Sequence, residues 1–162
     1  MVSSNLQNID SISDDGEGWD EGWDVDRLPP RRRARAAALQ VLFEVDASGH
    51  GYDGTLRWAM EENNLTKSGK TLTRDLVSGV IENRTELDAL IQHYAPIWPV
   101  EQLSFADRNL LRLALYEIRI DARTSSKIVI SEIVELAKLF GGENSPQFIN
   151  GVLGAAMDEV NN

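Results

Sequence analysis

From Arg31 almost to the C-terminus, apolar residues recur at the spacing of helices. Ala37, Leu39, Val41, Leu42 and Val45 form the first such stripe, and Gly49-His50-Gly51 closes it. Asp53 reads as the N-cap of a second helix that runs through Leu56, Ala59 and Met60 to Asn63. Thr71–Asn83 reads as a third, with Leu72, Leu76 and Val80 at i, i+4 and i+8. Thr85 caps a fourth that carries Leu87, Leu90 and Ile91 and stops ahead of Pro96 and Pro99.

Ser104-Phe105-Ala106-Asp107 resembles a capping box with Asp in the place of Glu. It opens the most apolar helix, with Leu110, Leu111, Leu113, Ala114, Leu115, Ile118 and Ile120, which belongs in the middle of a bundle. Its arginines, Arg108, Arg112 and Arg119, fall on one stripe. Glu117 lies in the same apolar stretch, and a charge there requires a partner, for which an arginine is the expected choice. A further helix covers about Lys127–Phe140 and ends at Gly141-Gly142. The last begins at Ser145-Pro146 and buries Phe148, Ile149, Val152, Leu153 and Ala156. Ile128-Val129-Ile130 has strand propensity but no partner strand. The pattern predicts an all-α fold of six or seven helices.

Residues 1–30 break this pattern. They are rich in Ser, Asp and Gly, end in Pro29-Pro30 and offer too little apolar surface to offset ordering entropy, so the reading is a disordered acidic tail before a folded domain at 31–160. The net charge of −10 is correspondingly uneven: the tail carries −7 and the rest −3. Arg31-Arg32-Arg33-Ala34-Arg35, the densest positive charge, follows the tail directly. Within the tail, Trp19 and Trp23 alternate with carboxylates, which gives two readings: a solubilising leader, or a segment that folds back over Arg31–Arg35 and competes with non-specific nucleic acid.

Composition removes most chemistry. There is no cysteine, and His50 and His93 stand 43 residues apart, so neither a thiol nucleophile nor a metal cluster is expected. The first 20 residues have no basic-then-apolar leader pattern, and no run reaches the ~18 apolar residues of a membrane span, which points to a cytoplasmic protein. Asn64-Leu65-Thr66-Lys67-Ser68-Gly69-Lys70-Thr71 approaches a phosphate-binding loop, but Asn64 replaces its first Gly and a helix precedes it where that loop needs a strand. It reads as an interhelical loop capping a helix at Thr71. Without a catalytic constellation or a cofactor motif, the reading is a binding protein and not an enzyme.

Arg31, Arg32, Arg33 and Arg35 can contact phosphates, and as cations at a helix N-terminus they oppose the macrodipole, which an external anion would relieve. Phe43, Tyr94, Phe140 and Phe148 lie at helix ends, where each could pack in the core or stack on an unpaired base.

Four blocks then stand in a familiar order: residues 31–43, Arg74–Val80, Leu110–Glu117, and Ile130–Lys138 with Phe148–Leu153. Together they resemble the NusB transcription antitermination factors over about residues 31–158. The resemblance implies two packed helical bundles, the second from Leu103 onward. It implies binding of single-stranded boxA RNA of nascent ribosomal RNA together with ribosomal protein NusE, within an RNA polymerase antitermination complex that reads through terminators. By position, the RNA surface would include Arg31, Arg32, Arg33, Arg35, Phe43, Tyr94, Phe140, Asn144 and Phe148. The NusE face would involve Leu103, Asp107, Arg108, Leu111 and Arg112, with Asp107 and Arg108 at its exposed edge, and Asn150 would tie a helix turn through side-chain hydrogen bonds. Phe43 stands where many relatives carry Tyr, and Asn144 where an acid is common. A homodimer is left open. The competing readings are an accessory domain of the type fused to ribosomal RNA cytosine methyltransferases, disfavoured by the lack of a methyl-donor fold, and a helical protein that only dimerises.

Overall fold

The computed structural model describes residues 27–161, which form seven α-helices and no strand among the described residues. The acidic tail up to Asp26, with Trp19 and Trp23, lies outside them. In chain order the helices are α1 Pro30–Ser48, α2 Asp53–Glu62, α3 Lys67–Glu82, α4 Arg84–Tyr94, α5 Phe105–Leu115, α6 Ser126–Phe140 and α7 Ser145–Asn161. A short 3-10 turn, Val100–Gln102, precedes α5, and a π-helical turn, Tyr116–Asp121, follows it.

Several boundaries differ from the sequence reading for local reasons. Helix α3 starts at Lys67, not Thr71, because the Thr66 hydroxyl accepts the Gly69 N–H at 3.0 Å and caps the helix one turn earlier. Asp53 and Arg84 begin their helices without a side-chain cap. Ser145 lies inside the first turn of α7, and its hydroxyl accepts the Gly142 N–H at 2.8 Å, closing the turn before the helix instead of capping it. The apolar helix from Phe105 does not run straight to Ile120. It widens into the π turn and ends at Ala122 in left-handed backbone, φ 54°.

Helix α1 is the hub: it packs along α2 and α3 on one side and along α5 on the other, and meets α6 near its start. Helices α1–α3 make the first bundle. Helix α4 joins α5, α6 and α7 in the second, because its contacts with α5 and α7 exceed those with α3. One apolar core runs through both, from Ala34 to Ala156, and Leu110, Leu111, Leu113 and Leu115 of α5 are fully sealed in it. The bundles touch closely where Gly79 of α3 faces the Tyr116 ring of the π turn. A Cβ at position 79 would lie 2.2 Å from that ring.

Candidate nucleic-acid interface

A helix turns by about 100° per residue, so four arginines within five positions cannot all face one way. On α1 they part. Arg31 is exposed and has no side-chain partner among the described residues. The Arg32 Nε and Nη2 donate to the Glu132 carboxylate of α6 at 2.7 and 3.1 Å. That hydrogen-bonded pairing holds the Glu132 carboxyl below its ordinary value and raises the Arg32 guanidinium. Arg33 donates to the Leu28 and Asn64 carbonyls at 3.1 and 3.2 Å. Arg35 is 1% exposed and forms a two-pronged pair with Glu117 at 2.8 and 2.9 Å. The arginine partner expected for Glu117 is therefore found, in the very cluster read as a phosphate contact. Arg35 is sealed between the two bundles and cannot reach an external ligand.

The aromatics also divide. Phe140 is buried at 6% exposure, which takes it out of reach of a base. Phe43 is half-buried and meets Phe105 edge-to-face at 5.5 Å, with the Arg108 guanidinium 4.7 Å over the Phe105 ring. Tyr94 is half-buried, edge-on to His93, and its hydroxyl accepts from Arg119. Phe148 is half-buried, and Asn144 is exposed just before α7. Phe43 lies twelve residues along α1 from Arg31, about 18 Å at the rise of an α-helix. Phe43 therefore stands more than three turns along the same helix from Arg31. Asn150 is exposed and makes no side-chain hydrogen bond among the described residues, so the tie expected of it is absent.

The expected NusE residues are mostly interior. Leu103 is half-buried and Leu111 fully buried. Asp107 and Arg108 form no exposed edge, at 6% and 9% exposure. The half of the capping box that is present is the Ser104 hydroxyl accepting the Asp107 N–H at 3.0 Å. Burial pushes the Asp107 carboxyl up against the pull of the Ser145 and Ser104 hydroxyls beside it, and its Oδ1 has no hydrogen-bond partner. Arg108 grips Asp46 at 2.6 and 2.8 Å. Arg112 grips Asp88 at 2.7 and 2.9 Å and reaches Asp46 at 3.1 Å. Burial alone would raise the Asp46 carboxyl, but hydrogen bonds from Arg108 and Asn109 and the charge of Arg112 outweigh it and hold it low. Asp46 was legible in one respect only: it continues the inward stripe Leu39, Leu42 at i+3 and i+7. An acid on a buried stripe needs a cation, and the apolar helix with two arginines supplies it.

The phosphate-loop likeness at 64–71 has no structural counterpart. Helix α2 precedes it, and Lys70 and Thr71 lie within α3, one turn past its start. No group of acidic, histidine or cysteine side chains among the described residues could hold a metal ion, and no helix there is long and apolar enough to cross a membrane.

Seven helices packed as two bundles about the hub helix α1 define the class: an all-helical protein with a continuous core. The NusB family model matches residues 32–158. The chain is 46% identical to the transcription antitermination protein NusB of Roseiflexus sp. (strain RS-1) over 78% of its own length and 91% of the relative's. It is 45% identical to that of Chloroflexus aggregans over 78% and 86%. Among solved structures it resembles T. maritima NusB, at 35% identity and TM-score 0.74 over 81% and 92% of the two chains. It also resembles a crystal structure of the antitermination factors NusB and NusE in complex with double-stranded RNA, at 28% identity and TM-score 0.73 over 80% and 96%. The chain belongs to the NusB family of transcription antitermination proteins, a non-catalytic family, and is not an enzyme.

Proposed function

We propose that this protein binds the single-stranded boxA element of nascent ribosomal RNA together with ribosomal protein NusE, and so helps RNA polymerase read through terminators in the cytoplasm. The observation that carries the reading is the family match over 32–158, which takes in nearly the whole helical body and starts one residue after Arg31, at Arg32. The related NusB–NusE complex with RNA supports both partner classes.

In this reading Arg31 is the primary phosphate contact. Arg32 and Arg33 join it when RNA outcompetes Glu132 and the carbonyls, while Phe43, Tyr94, Asn144 and Phe148 meet the bases further along. Arg35 and Phe140 act by holding the fold. The NusE face spans Leu103 and the outer surface of the α4–α5 connection, where Ile97 and Trp98 are exposed at 83% and 55%. Asp107, Arg108, Leu111 and Arg112 shape that face from beneath.

Filter binding across a salt series tests the reading with a boxA oligomer, its duplex and a scrambled strand, each with and without NusE. The expected result is preference for the single-stranded boxA, a further gain with NusE, and affinity that falls with added salt because releasing the RNA's counterions into a saltier solution gains less entropy. Equal affinity for boxA and scrambled RNA in the presence of NusE would overturn it.

A further inference from the structure

Pro30 and Arg31, close to the start of the described residues, line a groove of about 620 Å³, within the ~300–1,000 Å³ common for ligand sites. The start of α1, the first turns of α3, the π turn and the start of α6 enclose it. Leu72, the Pro30 ring and the 54%-exposed Ile128 give it an apolar wall. Arg31 stands at its edge without a side-chain partner among the described residues. Lys67 and Lys127 are exposed in the first turns of α3 and α6, outside the lining but next in sequence to the lining residues Thr66, Ser68 and Ile128. Asp75, Glu117 and Asp121 also line the groove, but Arg123 engages the two aspartates at 3.7 and 2.8 Å, and Arg35 holds Glu117 at 2.8 and 2.9 Å.

The 26 residues before Arg27 carry eight carboxylates, no basic side chain, and the indoles of Trp19 and Trp23. Trp23 precedes Pro30 by seven residues, a span of up to about 24 Å when extended, so the chain reaches the groove without strain. Such a tether holds a segment near its target at an effective concentration on the order of millimolar.

We propose that Glu17–Asp24 docks in this groove, with an indole against Ile128 and Leu72 and its carboxylates toward Arg31, Lys67 and Lys127. A cover over Arg31–Arg35 as a whole, the form suggested by the sequence, does not fit, because Arg32 and Arg35 are already paired and Arg33 is bonded to carbonyls. Arg31 is where the docked segment and an RNA phosphate would meet, so docking excludes weakly bound RNA. That competition rests on the RNA-binding reading; the docking does not.

Two measurements on the full chain separate these claims. In a Trp58→Phe/Trp98→Phe background, emission comes from Trp19 and Trp23 alone. Docking predicts a blue shift and protection from acrylamide, both independent of protein concentration and both lost in Ile128→Glu and in Arg31→Glu. Water-like emission in the background protein, or a shift unchanged by both substitutions, overturns the docking. A shift that vanishes on dilution assigns the groove to a second copy and overturns it as well. For the competition, Trp19→Ala/Trp23→Ala should tighten binding of a scrambled single strand at low salt by roughly three- to tenfold, which corresponds to a groove closed for about 70–90% of the time. Unchanged affinity overturns the competition. If neither protein binds any RNA, the RNA reading fails while the emission still decides the docking.

Discussion

At the start of α1, Arg31 reaches solvent and Arg32 sits in a half-exposed pair with Glu132, while Arg35, one turn on, is closed against Glu117 between the bundles. On α5, Arg108 and Arg112 are both closed, by Asp46 and Asp88. In sequence both groups look like cationic surfaces. The difference lies in what packs over each helix: the first turn of α1 is covered on part of its surface and leaves Arg31 in solvent, whereas Ala106–Leu115 of α5 are buried throughout. Density of positive charge therefore does not reveal whether the matching anion is a ligand or a residue far away in the same chain.

The largest test of this contrast is Glu117→Ala, which strands a buried guanidinium and should cost about 3–5 kcal/mol, read as a fall in the urea midpoint. Pairing it with Arg35→Met should recover most of the loss, because replacing a buried ion pair by apolar side chains is often close to neutral. Asp46→Ala should cost less, about 1.5–3 kcal/mol, since Arg112 keeps Asp88. The same site sets a pH limb. A carboxyl held below its ordinary 3.8 contributes stability in full above that value and loses it as pH falls through the lowered one. Asp46→Asn should flatten the acid unfolding curve in that window.

The exposed end of the contrast predicts smaller effects on stability and visible effects on binding. Glu132→Gln should change stability by less than about 1 kcal/mol, yet release Arg32 and steepen the log–log salt dependence of single-strand binding by about 0.7. Arg31→Ala should leave the unfolding midpoint in place and flatten the same slope by about 0.7. If Glu132→Gln unfolds the protein while RNA binding by the remainder is unchanged, the two arginine groups are alike and the contrast fails.

Most of the fold could be read from the chain. Seven helical segments follow from the spacing of apolar residues and from Gly and Pro stops, and the need of Glu117 for an arginine follows from burial alone. The particular arginine did not, because Arg35 lies 82 residues away and carries the same local signature as Arg31. Phe140 and Phe148 posed the same difficulty. Both stand at helix ends, and only the packing of α6 against α7 decides that the first is sealed and the second half-open. Helix starts were misread where a hydroxyl's partner is set by the incoming loop, as with Thr66 and Ser145, since Ser and Thr serve equally well at a cap and in a turn.

The Arg35–Glu117 pair also constrains how the protein is made. During synthesis Arg35 leaves the ribosome long before Glu117. At about 5–20 residues per second, the 82 residues between them take roughly 4–16 s to add. Throughout that interval the face of α1 that will meet the second bundle leaves the Arg35 charge in water, and it is buried only when Glu117 arrives to pair it. The contact that ties the two halves together through one guanidinium is thus among the last that chain growth can complete.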